Sequence, residues 1–324
     1  MAEALLQQTR VDQAVPYYER FLRAFPTVRA LARAPLSRVL KVWEGAGYYA
    51  RARHLHEAAR IVMERHHGTL PRSVEELEEL PGIGPYMARA IASQAFGVPV
   101  LGIDANVLRV ASRLYRVEQD PTRSAVRRGI ERELAPEIPG ENPGGFAQAL
   151  MELGETICLP RHPECSRCPL AFRCRAFREV PDPGRLPVAS ALRRARPVRP
   201  VAALALEHRG RWLLYERPRH GLLGGLWGFP ETPVPAGTTP LSAARKEASR
   251  LLPHEGHRLR YVGTLRHVYS HFVSEIWIYR GASTAPRAVG EGHEWVPSPK
   301  VQRLPLPRVA QHIWSLVAQD SLPG

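Results

Sequence analysis

Apolar residues recur at helical spacing through the first half of the chain. Val28 and Leu31 follow Thr27, whose hydroxyl suits a helix N-cap, and Leu36, Val39, Leu40 and Trp43 continue a second apolar stripe in steps of three and four. Ser73 followed by Glu76 has the form of a capping box and predicts a helix that runs through Leu77 and Leu80 and stops at Pro81. A hairpin loop and another helix come next, so the pattern to about residue 157 is all-α. Between Glu179 and Pro200 the periodicity fails. Pro181, Pro183, Pro187, Pro197 and Pro200 stand among Arg185, Arg193, Arg194, Arg196 and Arg199, a composition that argues against a core element. Beyond it, Val201 to Leu206, Trp212 to Tyr215, Tyr261 to Leu265 and Phe272 to Tyr279 read as strands, and Leu241 to Leu252 and Pro307 to Val317 as helices. The expectation is an all-α domain over 1–180, a basic proline-rich linker over 181–199 and a smaller α+β domain over 200–324.

Composition adds a partner class. At 324 residues and 44% hydrophobic the chain can bury ordinary cores, and its formal charge of +14 favours a polyanion such as nucleic acid. Arginine supplies nearly all of that charge, since the lysines are Lys41, Lys246 and Lys300. No stretch approaches the roughly 18 consecutive apolar residues of a membrane span. Met1 to Arg10 has no basic segment leading into an apolar run, so a cytoplasmic, nucleoid-associated protein without membrane contact is expected. In a reducing compartment clustered cysteines are metal ligands more often than disulfides.

The cysteines are spaced Cys158-x6-Cys165-x2-Cys168-x5-Cys174, with Pro160, Pro163 and Pro169 stiffening the loop. Four thiolates gathered within 17 residues suit an iron-sulfur cubane, which takes one soft sulfur ligand per iron. A four-cysteine zinc site is the competing reading, although such sites usually have two tight Cys-x2-Cys pairs and this loop has one. Upstream, Leu80-Pro81-Gly82-Ile83-Gly84-Pro85 lies between two helices. Gly82 and Gly84 permit a tight turn whose backbone N–H groups can face a phosphate at the next helix, a sequence-independent DNA anchor; an ordinary interhelical loop is the plainer alternative. Asp104 lies in the apolar segment Gly102-Ile103-Asp104-Ala105-Asn106-Val107, where a lone aspartate is commonly a helix cap.

Taken together, hairpin, Asp104 and four-cysteine loop resemble the endonuclease III superfamily of DNA glycosylases over roughly residues 1 to 175. The resemblance implies an all-α helix-hairpin-helix glycosylase core that flips a damaged or mispaired base out of the duplex and uses the aspartate at sugar C1′. It also implies a 4Fe-4S cluster on Cys158, Cys165, Cys168 and Cys174. Bifunctional members carry a lysine just after the hairpin that attacks C1′; here Tyr86 stands there, and no lysine occurs between Lys41 and Lys246. A monofunctional enzyme with water as the final nucleophile is therefore expected.

Glu3-Ala-Leu-Leu-Gln-Gln-Thr9, Phe25-Pro-Thr-Val28 and Gly45-Ala-Gly-Tyr-Tyr-Ala-Arg-Ala-Arg53 are similar to the MutY-type adenine DNA glycosylases. These act on double-stranded DNA and remove adenine paired with 8-oxoguanine or guanine. By that resemblance Glu3 protonates the leaving adenine, Asp104 stabilises the oxocarbenium-like sugar or forms a transient covalent link to it, and Tyr86 and Asn106 support them. Gln8 and Tyr48 would wedge into the duplex near the lesion, with Thr9 and the Gly82–Gly84 hairpin also at the DNA. The C-terminal part resembles the MutT-like (Nudix-like) recognition domain of such enzymes. There Leu265-Arg-His-Val-Tyr-Ser-His-Phe272 is similar to the lesion-contacting loop, Tyr269 replacing a phenylalanine, Ser270 bonding 8-oxoguanine and Tyr269 and His271 holding the loop. The corresponding Nudix helix, Ala244-Arg-Lys-Glu-Ala-Ser-Arg250, has too few acids for magnesium, so recognition without hydrolysis follows. The family's Leu-Pro-Trp-Arg segment, which normally precedes Glu3, does not occur ahead of it. An earlier start and a fragment are both compatible with that. Either an active, monomeric enzyme or a catalytically impaired lesion-binding protein is implied.

Overall fold

The computed structural model describes residues 1–7, 11–188, 195–253, 258–284 and 290–319. Five helices open the chain: α1 (Ala2–Leu6), α2 (Val11–Ala24), α3 (Val28–Arg33), α4 (Leu36–Val42) and α5 (Ala50–Arg65). Thr27 Oγ1 accepts the Ala30 N–H at 3.0 Å and starts α3 as expected. Ala34, extended before Pro35, ends it. Phe21, Phe25 and Trp43 meet edge to face at centroid distances of 5.0 and 5.7 Å and fill the centre of this group.

A second set follows: α6 (Val74–Glu78), α7 (Pro85–Phe96), α8 (Ala105–Leu114), α9 (Ser124–Leu134), α10 (Pro143–Thr156) and α11 (Arg175–Glu179). Ser73 Oγ accepts from Glu76 N at 3.1 Å, yet α6 ends at Glu78, short of the expected Leu80. Pro85 sits at the start of α7, where its missing N–H costs nothing, and Gly97 closes the helix in the left-handed region at φ 67°. Val107, Val110, Ile130, Leu134 and Leu150 form the buried core that joins α8, α9 and α10.

The remaining elements are β1 (Val198–His208), β2 (Arg211–Glu216), β3 (Trp227–Gly228), β4 (Glu231–Pro233), α12 (Pro240–Leu251), β5 (Leu259–Val268), β6 (Val273–Ala282), β7 (His293–Pro297), α13 (Ser298–Val301) and α14 (Arg308–Gln319). The sheet runs β3-β2-β1-β6-β5, with β4 on β1 and β7 on β2; β1 and β6 are parallel and the other pairs antiparallel. Alternation along β1 sends Ala202, Leu204 and Leu206 toward α12, and Ala203 and Ala205 toward α14. Burial on both faces explains why this strand reads as one continuous apolar run.

Chain contacts gather into two compact units, Met1–Gly68 with Arg194–Gly324, and Thr69–Arg193. The first helices therefore group with the sheet, where the hydrophobic pattern groups them with the other helices. Hydrogen bonds from residues 41–53 to backbone of the sheet domain account for this, and polar contacts of that kind leave no periodic trace. The proline-rich stretch also differs from its expected form. Pro183–Arg185 makes a 3-10 turn, Leu186 is only 5% exposed, and Val198 and Arg199 already belong to β1. Proline excludes a helix there but not packing; Arg193 and Arg194 of that stretch lie outside the described residues.

Replacing Leu204 with alanine should cost about 2–5 kcal/mol in a denaturant titration, because its side chain is fully buried in the core under α12 and its removal leaves a cavity. Val198→Ala, at the exposed start of the same strand, should cost less than about 0.5 kcal/mol.

Candidate functional site

In the 69–193 unit the hairpin turns at Gly82, whose φ of 78° only glycine adopts without strain, and Ile83 N bonds Leu80 O at 3.1 Å. Gly84 then caps α7. Both glycines are exposed at a helix N-terminus, the polarity an anion favours. Tyr86, on the first turn of α7, directs its hydroxyl at Met151 Sδ, 3.6 Å away.

Asp104 is the N-cap of α8: Oδ1 accepts from Val107 N at 2.7 Å and Oδ2 from Asn106 Nδ2 at 3.0 Å. The structure thus makes the aspartate a cap and leaves it half-buried, oriented by two donors. Asn106 is held in turn, its Oδ1 accepting from Arg109 Nη2 at 2.9 Å. Gly154 on α10 lets that asparagine sit close, since a Cβ there would lie 2.7 Å from Asn106 Cβ. Arg109 continues to Gly154 O at 2.6 Å and, through Nε, to Cys158 O at 2.8 Å. One hydrogen-bonded path therefore runs from Asp104 through Asn106 and Arg109 to the first cysteine.

The four cysteines are thiols without disulfides and line one small cavity of about 30 Å³ together with Val110, Leu114, Leu153 and Leu170. Burial pushes the Cys165 and Cys168 thiols up, and neighbouring cysteines push further in the same direction. Among the described residues no three His, Cys, Asp or Glu side chains are drawn to metal-holding geometry. Arg113, 2% exposed, donates to Leu186 O, Leu159 O and Pro160 O at 2.7–2.8 Å and to Cys158 Sγ at 3.2 Å. Sequence reasoning missed Arg109 and Arg113. Their signal was present as two arginines, four apart, on the helix face that also carries Val110.

In the other unit Glu3 is half-buried on α1, whose C-terminal carbonyls, Ala4 O and Leu5 O, each accept from Arg51 Nη1 at 2.8 Å. Glu3 and the trio of Tyr86, Asp104 and Asn106 belong to different units. Tyr49 is buried, whereas Tyr48 is 49% exposed at φ 46°, just after Gly45 and Gly47, which also have positive φ. The Arg51 guanidinium lies over the Tyr48 ring at 5.2 Å and the Trp43 ring at 5.5 Å. Ser270 Oγ donates to Tyr48 OH at 3.0 Å, joining two residues that sequence reasoning had proposed separately. Tyr269 N bonds Phe272 O at 2.9 Å, so 269–272 is a tight turn with Ser270 and His271 exposed at its tip. Beneath the tip Tyr269 stacks on Phe272 at 4.6 Å, Arg199 covers Phe272 at 4.1 Å, and His267 meets Tyr269 edge-on at 4.5 Å. Gln8 and Thr9 lie outside the described residues.

Residues 1–136 match the HhH-GPD superfamily of base excision DNA repair proteins, and residues 201–316 match the NUDIX domain. Adenine DNA glycosylase of Mus musculus is 35% identical over 88% of this chain and 65% of its own length. The Homo sapiens protein of the same name is 34% identical over 91% of this chain and 63% of its own. The chain thus spans less than two thirds of the length of either relative. An endonuclease III in a non-covalent DNA complex aligns with 28% identity and a TM-score of 0.48 over 55% of this chain and 81% of its own.

Burial pushes the Tyr269 phenol up to about 12, with the Glu231 charge adding to it, and burial likewise takes Tyr49 to about 12. A folded-state pKa above the ordinary 10.0 means that the folded chain holds the proton longer, so stability is full below pH 10 and falls as pH climbs toward about 12. In urea titrations across that range Tyr269→Phe should flatten the alkaline decline, with Tyr49 leaving a residue of it. An unchanged slope would rule Tyr269 out as its source.

Proposed function

From the pairing of an HhH-GPD match over residues 1–136 with a NUDIX match over residues 201–316, we propose that the chain is a monofunctional adenine DNA glycosylase of the HhH-GPD superfamily. Its substrate is double-stranded DNA in which adenine is mispaired with 8-oxoguanine or guanine. The observation that carries this reading is the match to adenine DNA glycosylases, which extends over 88% of the chain and so takes in both regions.

Breaking an N-glycosidic bond requires a proton on the departing base and negative charge facing the cationic sugar, a division of labour that two carboxylates can supply. Glu3 delivers the proton to adenine. Asp104 faces C1′, aimed by Val107 N and Asn106 Nδ2, and Tyr86 backs it from α7. No amine stands at the Tyr86 position, so water completes the displacement. The N-terminus of α7 at Gly82 and Gly84 grips phosphate, and the +14 charge holds the duplex without regard to sequence. Tyr48 and Gln8 fill the gap left by the flipped base, while Ser270 reads the lesion. The α12 helix carries one acid, Glu247, engaged by Arg250 Nη2 at 2.6 Å, which fits a NUDIX domain used for recognition.

Cys158, Cys165, Cys168 and Cys174 fit a 4Fe-4S cluster: four free thiols around one cavity offer the soft donors that such a group needs. When bound, the cluster would cross-link the loop and so order it. Arg161, Arg167, Arg173 and Arg175 of this segment then present charge to the DNA backbone. Among the described residues no helix is long and apolar enough to cross a membrane, and the chain is read as a monomer working on DNA in the cytoplasm.

Single-turnover release of adenine from a duplex with A opposite 8-oxoguanine tests this. Wild type should release the base without forming a borohydride-trappable adduct, and Glu3→Gln and Asp104→Asn should each be slower by at least about 100-fold. Lesion binding without any release would instead identify a binding protein. Cys168→Ser should lose the visible absorbance of a bound cluster. Arg113→Met should weaken its retention, because the carbonyls that shape the loop lose their donor.

A further inference from the structure

Residues 41–53 engage the sheet domain largely through its backbone. Lys41 Nζ donates to Gln302 O at 2.6 Å, to Leu304 O at 3.1 Å and to Glu44 Oε2 at 2.7 Å. Glu44 turns its other oxygen, Oε1, to the Leu306 N–H at 3.0 Å. Arg53 donates to the carbonyls of Gly224 at 2.9 Å and Gly221 at 3.2 Å. The gripped segment is itself tied to the sheet: Trp227 N bonds Pro305 O at 3.0 Å, and the chain beyond leads into α14, whose Ile313 and Trp314 pack in the same core as Ile276 and Ile278 of β6. β6 follows directly on the 269–272 turn, and Ser270 of that turn meets Tyr48, inside the same 41–53 stretch.

The tripod chemistry selects lysine. An ammonium has three tetrahedrally directed donors, and here a carboxylate and two carbonyls use all of them. A guanidinium spreads its donors in one plane and cannot serve these three acceptors from the same point. The chain has three lysines among 45 basic residues, so where positive charge alone is wanted it uses arginine. The side chains of Lys41 and Glu44 are 34% and 20% exposed, so the pair is half-buried and partly screened by solvent, and its contribution to global stability is modest. Its consequence is positional.

We infer that Lys41 and Glu44 are positioning residues for lesion reading, fixing the 302–306 segment and through the sheet the 269–272 turn, so that Ser270 meets Tyr48. This rests on the adenine glycosylase reading above. Misplacement of a recognition group by about 1 Å can cost as much as 100-fold in rate.

The test uses the full chain and the variants Lys41→Arg, Lys41→Met and Glu44→Gln. Two quantities are measured: amide hydrogen exchange at 302–306 and 268–272 in the free protein, and the ratio of single-turnover adenine release from A opposite 8-oxoguanine to that from A opposite G. Exchange should rise in both segments and the ratio fall about 10-fold or more in both Lys41 variants, charge-preserving Arg included, with the unfolding midpoint nearly unchanged. Equal losses on both duplexes with a lowered midpoint would show a merely structural role and overturn the inference, as would wild-type exchange in the 268–272 turn. If wild type itself releases no adenine, the functional reading fails separately. The exchange arm then still decides whether Lys41 and Glu44 hold the turn.

Discussion

The geometry of the helical site depends on how two arginines of α8 are satisfied. A guanidinium carries five donors and cannot shed its charge, so burial is tolerable only where acceptors surround it. Arg113, almost wholly buried, finds them in Leu159, Pro160 and Leu186. Those carbonyls have the complementary need. They belong to irregular, proline-interrupted chain that pairs with neither helix nor sheet, and buried carbonyls without partners are costly. Arginine and loop therefore fix each other, and Arg109, one turn earlier, extends the same arrangement to Asn106 and so to Asp104. The position of the aspartate and the shape of the cysteine loop are consequently one structural fact, set by a single helix.

Much of the fold was legible because burial leaves a periodic trace. The Val201–Leu206 run became the centre of β1, and Thr27 and Ser73 cap the helices they were expected to cap. Strands β3, β4 and β7 escaped notice because two to five residues are too few to display alternation. Where β1 and β6 would pair, and in which direction, had no local signal at all, since parallel pairing is decided by packing of α12 and α14 on opposite faces. The grouping of residues 1–68 with the sheet was hidden for a related reason: hydrogen bonds from Arg53 and Glu44 to backbone groups depend on no side-chain pattern in the partner segment.

The candidate site divided in the same way. Candidates that depend on residue type and spacing, the four cysteines and Asp104 above all, could be marked from sequence. The residues that support them could not. Arg109 and Arg113 look like two more basic residues in an arginine-rich chain until the carbonyls around them are seen. Tyr48 and Tyr49 are neighbours of identical type, yet one is buried and the other exposed at positive φ. Gly45 and Gly47, both at positive φ just ahead of the pair, turn the chain there, and only the backbone shows which tyrosine is exposed.

The two units solve the positioning problem by different means. Around Asp104 each group is oriented by the next, so a change at Asn106 or Arg109 is felt at the carboxylate. Around Ser270 the turn is held by stacked rings, Tyr269 on Phe272 under Arg199, while its domain is held through backbone groups of 221–224 and 302–306. Stacking and backbone hydrogen bonding tolerate exchange of the side chains at the tip far better than a side-chain relay does. The role proposed for Asp104 needs the stricter arrangement, because a reacting carboxylate's orientation relative to one bond decides the rate. The reading loop proposed above needs a firm base and a tip free to vary, which is what the 269–272 turn, with Ser270 and His271 exposed on a half-buried aromatic stack, provides.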